Sequence, residues 1–287
     1  MPHVIQRKFR FPMLERKFRH SANQPKNLER KAESCGADDA VTTKLGSSMA
    51  LTAAFRKQSA VGYDDPPPSR DEVFARYRQF REISKQHHHE ILACISSDAL
   101  LNQARRLGLA QGKTLILEDM EEMNYVYDLA IHTASPQRSR AIDRFAGSAR
   151  LAPGSDEALV LEAMRVARFS VLLIERHHET AGLVATDLFR RTEVWLVDIG
   201  LESSLSAGEM FATRLFTPAR FSMTAGTYVP FEFDMLTDIL DELPRRLCDS
   251  PLEALADSRH FAEAIYRIAL ADGIMDLVTY QDLSGDA

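Results

Sequence analysis

Two aspartates each follow a short apolar stretch, a placement that can bring carboxylates together at the edge of a sheet. Asp187 follows residues 183–186, and Asp198 follows residues 194–197. If the fold places them together, one carboxylate could act as a general acid and the other as a general base. Aspartate also commonly ends a strand by accepting hydrogen bonds from turn amides. Asp187 and Asp198 are therefore candidate catalytic residues with a structural alternative.

Three histidines are candidate metal ligands. His87 lies on the apolar face of a predicted helix, and His132 and His177 lie far from it in sequence. His87 and His177 are each followed by another histidine. Adjacent residues of a helix cannot bind one ion together, because two helical ligands must be four residues apart to share a face. A site requires the fold to bring His87, His132 and His177 together. The alternative is a buried histidine with one structural hydrogen bond.

Residues 108–114 resemble the phosphate loop GxxxxGK[ST], but one residue is missing between the glycines. The successive backbone amides of a true phosphate loop wrap the phosphate, so the count matters. A predicted helix also precedes this segment, where a phosphate loop would follow a strand. We interpret the segment as a helix end and a turn, and we expect no nucleotide or other cofactor.

The N-terminal arm, residues 1–68, differs in charge from the remainder of the chain. It carries 12 Lys and Arg against 7 Asp and Glu, whereas residues 69–287 carry 23 against 34. Frequent proline and polar residues predict that the arm is largely disordered. Basic residues interleaved with phenylalanine can pair with phosphates and stack on bases, so residues 1–31 are a candidate nucleic-acid or protein contact. The candidate contact residues are Arg7, Lys8, Arg10, Arg16, Lys17 and Arg19.

Order is predicted to begin at Ser69, where Ser69 and Glu72 have the spacing of a capping box. Apolar residues then recur at helical spacing to about residue 95. Further helices are predicted at about 97–107, 119–133, 138–146 and 155–167. The C-terminal region is helical again, with segments at 233–243, from 251, and 261–271.

Between these helical regions the period changes to that of short strands. The predicted strands are residues 169–175, 183–189, 194–199, 210–216 and 219–228. Short connections favour antiparallel neighbours in a meander or small barrel. Because several strands are apolar on both faces, we expect helices to cover the sheet, with Trp195 in its hydrophobic centre.

The predicted fold class is therefore α+β. A helical N-terminal half (69–167) precedes a small antiparallel sheet or barrel (168–231), which C-terminal helices (232–283) cover. We expect residues 69–283 to form a single domain and the arm to be separate from it.

Composition favours a soluble, cytoplasmic and bacterial protein. Hydrophobic residues make up 45% and charged residues 26% of the chain, as in ordinary globular proteins. No apolar run approaches the roughly 20 residues that span a bilayer, so we expect no membrane contact. Three widely spaced cysteines predict reduced thiols. Arginine outnumbers lysine, a bias common in GC-rich bacterial genomes.

These observations favour a non-enzymatic adaptor or regulatory protein that binds another macromolecule, most simply a protein. One alternative is a metal-dependent or carboxylate-based hydrolase that uses Asp187, Asp198 and nearby histidines. A second alternative is nucleic-acid binding through the arm. Outside the arm, the turns at residues 177–182 and 203–208 are the places where we expect function.

Overall fold

The computed structural model describes residues 7–10, 68–117, 120–135, 137–273 and 279–282. Within these ranges, helices precede the main group of strands and further helices follow it. This main group of strands forms an antiparallel, curled sheet of six strands, and two further strand pairs lie apart from it. This arrangement confirms the predicted α+β class.

Three of the N-terminal helices begin where a serine satisfies one of the first backbone amides. The Ser69 hydroxyl accepts from the Glu72 amide, and the Glu72 carboxylate accepts from the Ser69 amide at 2.8 Å. The hydroxyls of Ser96 and Ser155 also accept a backbone amide at the starts of later helices. The predicted capping box is thus confirmed. The helices of this region are α1 (Arg70–Ala93), α2 (Ser97–Arg106), α3 (Met120–His132), α4 (Ala141–Ser148) and α5 (Asp156–Arg165).

The segment that resembles a phosphate loop is a β-hairpin. Strand β2 (Ala110–Gln111) pairs with β3 (Thr114–Leu115) in antiparallel fashion. Gly108 ends the preceding helix at φ +80°, and Gly112 forms the turn at φ +60°. The interpretation as a helix end and a turn is confirmed.

The main sheet curls into a half-barrel. Its strand order is β6-β5-β4-β7-β8, and β9 pairs with β7. A parallel bridge between Leu196 and Ser222 brings the two edges of this order together. The strands are β4 (Arg168–His177), β5 (Leu183–Asp187), β6 (Thr192–Leu196), β7 (Met210–Phe216), β8 (Met223–Thr224) and β9 (Val229–Pro230).

Besides the strand predicted at 183–189, which ends at Asp187, two predicted strands differ from the structure. The strand predicted to reach residue 199 ends at Leu196, and helix α6 (Ile199–Ser204) follows because Asp198 caps it. The strand predicted at 219–228 is replaced by the two short strands β8 and β9. In both places a polar or small residue ends the strand earlier than the apolar pattern indicates.

Trp195 does not lie at the centre of the sheet. Strand β6 is at the end of the strand order, and Trp195 is half-buried there. Its indole Nε1 donates to the Ala181 carbonyl oxygen at 2.7 Å, and its ring stacks on His178. The sheet interior is instead formed by smaller apolar residues such as Leu172, Ala185 and Phe211.

The C-terminal helices share one hydrophobic cluster with the sheet and the N-terminal helices. Phe261 and Ile265 pack in the cluster that contains Phe169 of β4 and Tyr125 of α3. These helices are α7 (Met235–Glu242), α8 (Arg245–Cys248), α9 (Leu252–Ala256) and α10 (Arg259–Ala271). Of the helices described, none combines the length and the apolar character needed to cross a bilayer.

Four residues of the N-terminal arm form a strand. Strand β1 (Arg7–Arg10) pairs in antiparallel fashion with β10 (Thr279–Asp282), and β1 lies beside α6. The remainder of the arm, at 1–6 and 11–67, lies outside the described residues, so its predicted disorder stays a prediction.

Gly182 is required where β4 turns into β5. It has φ +79°, and a Cβ at this position would overlap the carbonyl oxygen of Leu196. We expect Gly182→Ala to lower the free energy of unfolding by roughly 2–4 kcal/mol, because β6 must move away from β5. The matched control is Gly108→Ala, which has φ +80° but open space around the new methyl group. It should lose only about 1 kcal/mol. Urea denaturation measures both values, and equal losses would contradict the packing argument.

Candidate functional site

Asp187 ends β5 and bonds to the turn that follows. It is 3% exposed. One carboxylate oxygen accepts from the amides of Phe189 and Arg190, both at 3.1 Å. The other oxygen accepts from Arg190 Nη1 at 2.9 Å. Asp187 therefore has the strand-end role that was the alternative to catalysis.

Asp198 lies beyond the opposite end of the β5–β6 hairpin. Thr192 pairs with Asp187, whereas Leu196 pairs with Leu183. Four strand residues, or about 13 Å, separate these two levels. The structure does not bring the two carboxylates together, so they cannot act as an acid–base pair on one substrate.

The three candidate metal ligands are scattered. His87 is buried on α1, and its Nε2 lies 2.9 Å from the Glu157 carbonyl oxygen. His132 is buried at the end of α3, and His177 is exposed at the end of β4. Among the residues that the structure describes, no three His, Cys, Asp or Glu side chains are placed to hold a metal ion. His87 has the single structural hydrogen bond considered as the alternative.

The candidate contact residues of the arm fall into two groups. Arg7, Lys8 and Arg10 lie on β1, paired with β10. Arg16, Lys17 and Arg19 lie outside the described residues.

Arg81 joins α1 to α6 and β8. Its Nη2 donates to Asp198 Oδ2 at 2.8 Å, and its Nη1 donates to the Thr224 carbonyl oxygen at 2.5 Å. Thr224 Oγ1 also donates to Asp198 Oδ2, while Oδ1 accepts the first amides of α6. Burial, assisted by the charge of Asp198, raises the pKa of the adjacent Tyr77 to about 12. Both oxygens of Asp198 are therefore occupied by structural hydrogen bonds.

A second charged cluster is buried between α3, β7 and α10. Arg214 Nε and Nη2 donate to the two oxygens of Asp128 at 2.6 and 2.8 Å. Tyr266 donates its hydroxyl proton to the same carboxylate at 2.9 Å. Arg214 and Asp128 are each 6% exposed, and Tyr266 is fully buried. Burial raises the pKa of Tyr266 well above its usual value, and Asp128 adds to this effect, so the phenol keeps its proton.

Two histidines lie near these clusters. Burial lowers the pKa of His88 to about 4, although the charge of Asp128 opposes the change and that of Arg81 supports it. Burial, and then the charge of Arg214, lower the pKa of His132 well below its usual value. Both imidazoles are neutral at neutral pH. We call the combined set the polar seam: Tyr77, Arg81, His88, Asp128, His132, Asp198, Arg214, Thr224, Thr227 and Tyr266.

The polar seam holds helices and a strand in position. Its two arginines face two aspartates, so the charges of the ion pairs cancel. A buried ion pair is stable only when hydrogen bonds satisfy both partners, and both carboxylates here meet that condition. The seam thus ties α1, α3, α6, β7 and α10 together.

An open cavity of about 260 Å³ lies between the end of α3 and the C-terminal helices. Three of its six lining residues are basic and none is acidic. The lining residues are Ala134, Arg246, Leu247, Ser258, Arg259 and His260. We call this feature the cationic cavity.

The basic residues of the cationic cavity differ in how they are bonded. Arg259 Nη1 donates to the Ala134 carbonyl oxygen at 3.1 Å, and its Nε donates to His260 Nε2 at 3.2 Å. Arg246 is exposed, and within the described part of the chain its guanidinium has no hydrogen bond or ion pair. Burial, and then the charge of Arg259, lower the pKa of His260, while Glu263 raises it. Arg246 therefore offers a full set of unused donors to a ligand.

Comparison with protein families gives a match. A model of the family of unknown function DUF7986 matches residues 71–275. The chain belongs to this family. Neither the curated proteins nor the solved structures contain a match. The part shared with DUF7986 contains the whole polar seam and the cationic cavity, whereas residues 1–70 lie outside it.

The central residues of the polar seam and of the cationic cavity were not predicted from the sequence. Arg214 and Asp128 each stand alone within an apolar stretch, and a lone charge in such a stretch usually has a buried partner. That signal was available for both residues. The cavity has no comparable signal, because Arg246 and Arg259 are ordinary in their local surroundings.

We expect Asp198→Asn to lower the free energy of unfolding by about 1–3 kcal/mol. Asparagine still caps a helix, but it removes the charge that faces Arg81, whose side chain is only 16% exposed. The matched control is Asp156→Asn, because its partner Arg76 is 38% exposed. This control should lose less than about 1 kcal/mol. Urea denaturation compares the two, and a larger loss at Asp156 would contradict the structural role of Asp198.

Proposed function

We propose that this protein is a non-enzymatic regulatory or adaptor protein of the bacterial cytoplasm. We further propose that it binds an acidic segment of a protein partner at the cationic cavity. The observation that carries the proposal is the exposed guanidinium of Arg246, which has no partner among the residues that the structure describes and lies beside Arg259 and His260. A guanidinium presents a planar set of donors that matches a carboxylate in two parallel hydrogen bonds.

The negative charge of the surrounding chain makes the cationic cavity the favoured place for an acidic segment to bind. Residues 69–287 carry 23 Lys and Arg against 34 Asp and Glu. An acidic segment is therefore repelled over much of the surface and attracted where basic side chains are grouped. Complementary charge of this kind sets orientation and association rate more than raw affinity.

The size of the cationic cavity favours an amino-acid side chain as its ligand over a large cofactor. Typical cofactor and drug sites enclose roughly 300–1,000 Å³, and this open cavity of about 260 Å³ lies below that range. It can take one or two carboxylate side chains from a segment that passes across it. Half-buried Leu247 gives such a segment an apolar contact.

The proposed compartment and source rest on separate observations. Cys94 is an exposed free thiol, which suits a reducing compartment such as the cytoplasm. The excess of arginine over lysine supports a bacterial source.

The two alternatives receive less support. The hydrolase requires Asp187 and Asp198 to cooperate, and they lie at opposite ends of a hairpin. Nucleic-acid binding concerns residues 1–31, whose described strand β1 is paired with β10.

A direct test titrates the full-length protein with a glutamate-rich peptide and measures binding by calorimetry. We expect Arg246→Glu to weaken binding about tenfold, because a repulsive charge then faces the peptide. The matched control is Arg245→Glu, which makes the same charge change one residue earlier on α8, outside the cavity lining. This control should change affinity less than about twofold.

Equal effects of the two variants would show that only net charge matters and would contradict the cavity as the site. Tighter binding of a single-stranded oligonucleotide than of the peptide would favour the nucleic-acid alternative. An absence of peptide binding would contradict the proposal as a whole.

A further inference from the structure

The basic side chains of the cationic cavity lie close to one another. Burial lowers the pKa of His260, and the charges of Arg259 and Arg246 both add to this lowering. The two guanidiniums therefore act on the same imidazole from two helices, α10 and α8. Because like charges repel, this grouping costs free energy until an anion binds between them.

Two acids next to the cavity lining are already neutralised by arginines from other elements. Glu263 Oε2 lies 3.8 Å from His260 Nδ1, but Arg106 of α2 donates to both oxygens of Glu263, at 3.0 Å through its Nε. Asp257 directly precedes the lining residues of α10, and its carboxylate accepts from Arg190, which follows β5. Both carboxylates thus face arginines outside the cavity, and the positive charge of the cavity is retained.

The cavity also presents more hydrogen-bond donors than its own residues use. Within the described ranges the guanidinium of Arg246 has no acceptor, and Arg259 uses Nη1 and Nε for Ala134 and His260 while its Nη2 has none. The Ser258 hydroxyl oxygen accepts from the His260 amide, so its proton can be donated elsewhere. With the imidazole neutral, the lining offers two positive charges and donors from two guanidiniums and one hydroxyl.

The number of charges and donors decides between two kinds of acidic side chain. A carboxylate carries one negative charge, and its two oxygens match one guanidinium. A phosphorylated serine, threonine or tyrosine carries about −1.5 to −2 charges at pH 7 and three acceptor oxygens. One phosphoryl group therefore matches both guanidiniums, whereas carboxylates would have to order two separate side chains in the same space.

We propose that the group which fills the cationic cavity is a phosphorylated side chain of the acidic partner segment. The phosphoryl oxygens accept from the guanidiniums of Arg246 and Arg259 and from the Ser258 hydroxyl. Binding then depends on whether the partner is phosphorylated. This inference rests on the proposed function, because it names the group that the same cavity binds.

Calorimetry on the full-length protein at pH 8 compares two peptides of nearly equal net charge. They share one glutamate-containing sequence, in which the first peptide has a single phosphoserine and the second has two glutamates in its place. We expect the phosphopeptide to bind about tenfold more tightly, because one group satisfies both guanidiniums. Equal affinities would overturn this inference and leave the proposed function standing. If neither peptide binds, both are overturned.

Arg246→Gln locates the phosphoryl group. This side chain is exposed, so the variant should fold, and it should bind the phosphopeptide about tenfold more weakly. The preference over the glutamate peptide should fall below about threefold, since one guanidinium remains. The matched control is Arg245→Gln, which lies outside the cavity lining and should change either affinity less than about twofold. Equal losses in the two variants would overturn the assignment to the cavity.

Inorganic phosphate is the third ligand in this titration. It has the same oxygens but no peptide to contact half-buried Leu247, so it should bind at least about tenfold more weakly than the phosphopeptide. Phosphate that binds as tightly as the phosphopeptide would mean that the cavity takes a free ion, and would overturn its assignment to a partner segment.

Discussion

The ion pair between Asp128 and Arg214 is the interaction on which the arrangement of the other elements depends. It joins α3 to β7, an interior strand of the sheet, across 86 residues of sequence, and both side chains are removed from water. Tyr266 of α10 supplies a further hydrogen bond to the carboxylate. An arginine or an aspartate buried alone here would cost several kcal/mol, so these elements are stable only when they are assembled.

Aromatic packing keeps this ion pair dry and fixes its geometry. Tyr125 stacks on Tyr266 with ring centroids 4.4 Å apart, and the edge of Phe169 meets Tyr266. The Arg214 guanidinium lies 5.5 Å from the centroid of Phe169. The hydrophobic cluster and the charged cluster are thus one structure, in which apolar burial excludes the water that would weaken the ion pair. The ion pair of Arg81 and Asp198 joins α1 to α6 at a less buried position.

Local signals were sufficient to predict most of the elements. A serine followed by acidic residues marked the starts of α1 and α5, and the strand predicted at 210–216 is Met210–Phe216. Asp198 shows the limit of such signals, since an aspartate after an apolar run can end a strand or begin a helix. Here Asp198 caps helix α6, and strand β6 ends only two residues earlier, at Leu196. The polar seam depends on contacts across as many as 143 residues, and no local pattern contains that information. The cationic cavity likewise arises only when α3, α8 and α10 meet.

The most direct measurement of the central claim is a double-mutant cycle on Asp128 and Arg214. Asp128→Leu and Arg214→Met should each lower the free energy of unfolding by roughly 3–5 kcal/mol, because each leaves an unpaired buried charge. The double variant should be more stable than either single variant, since it removes both charges. Additive losses in the double variant would mean that the two residues act independently and would contradict the account.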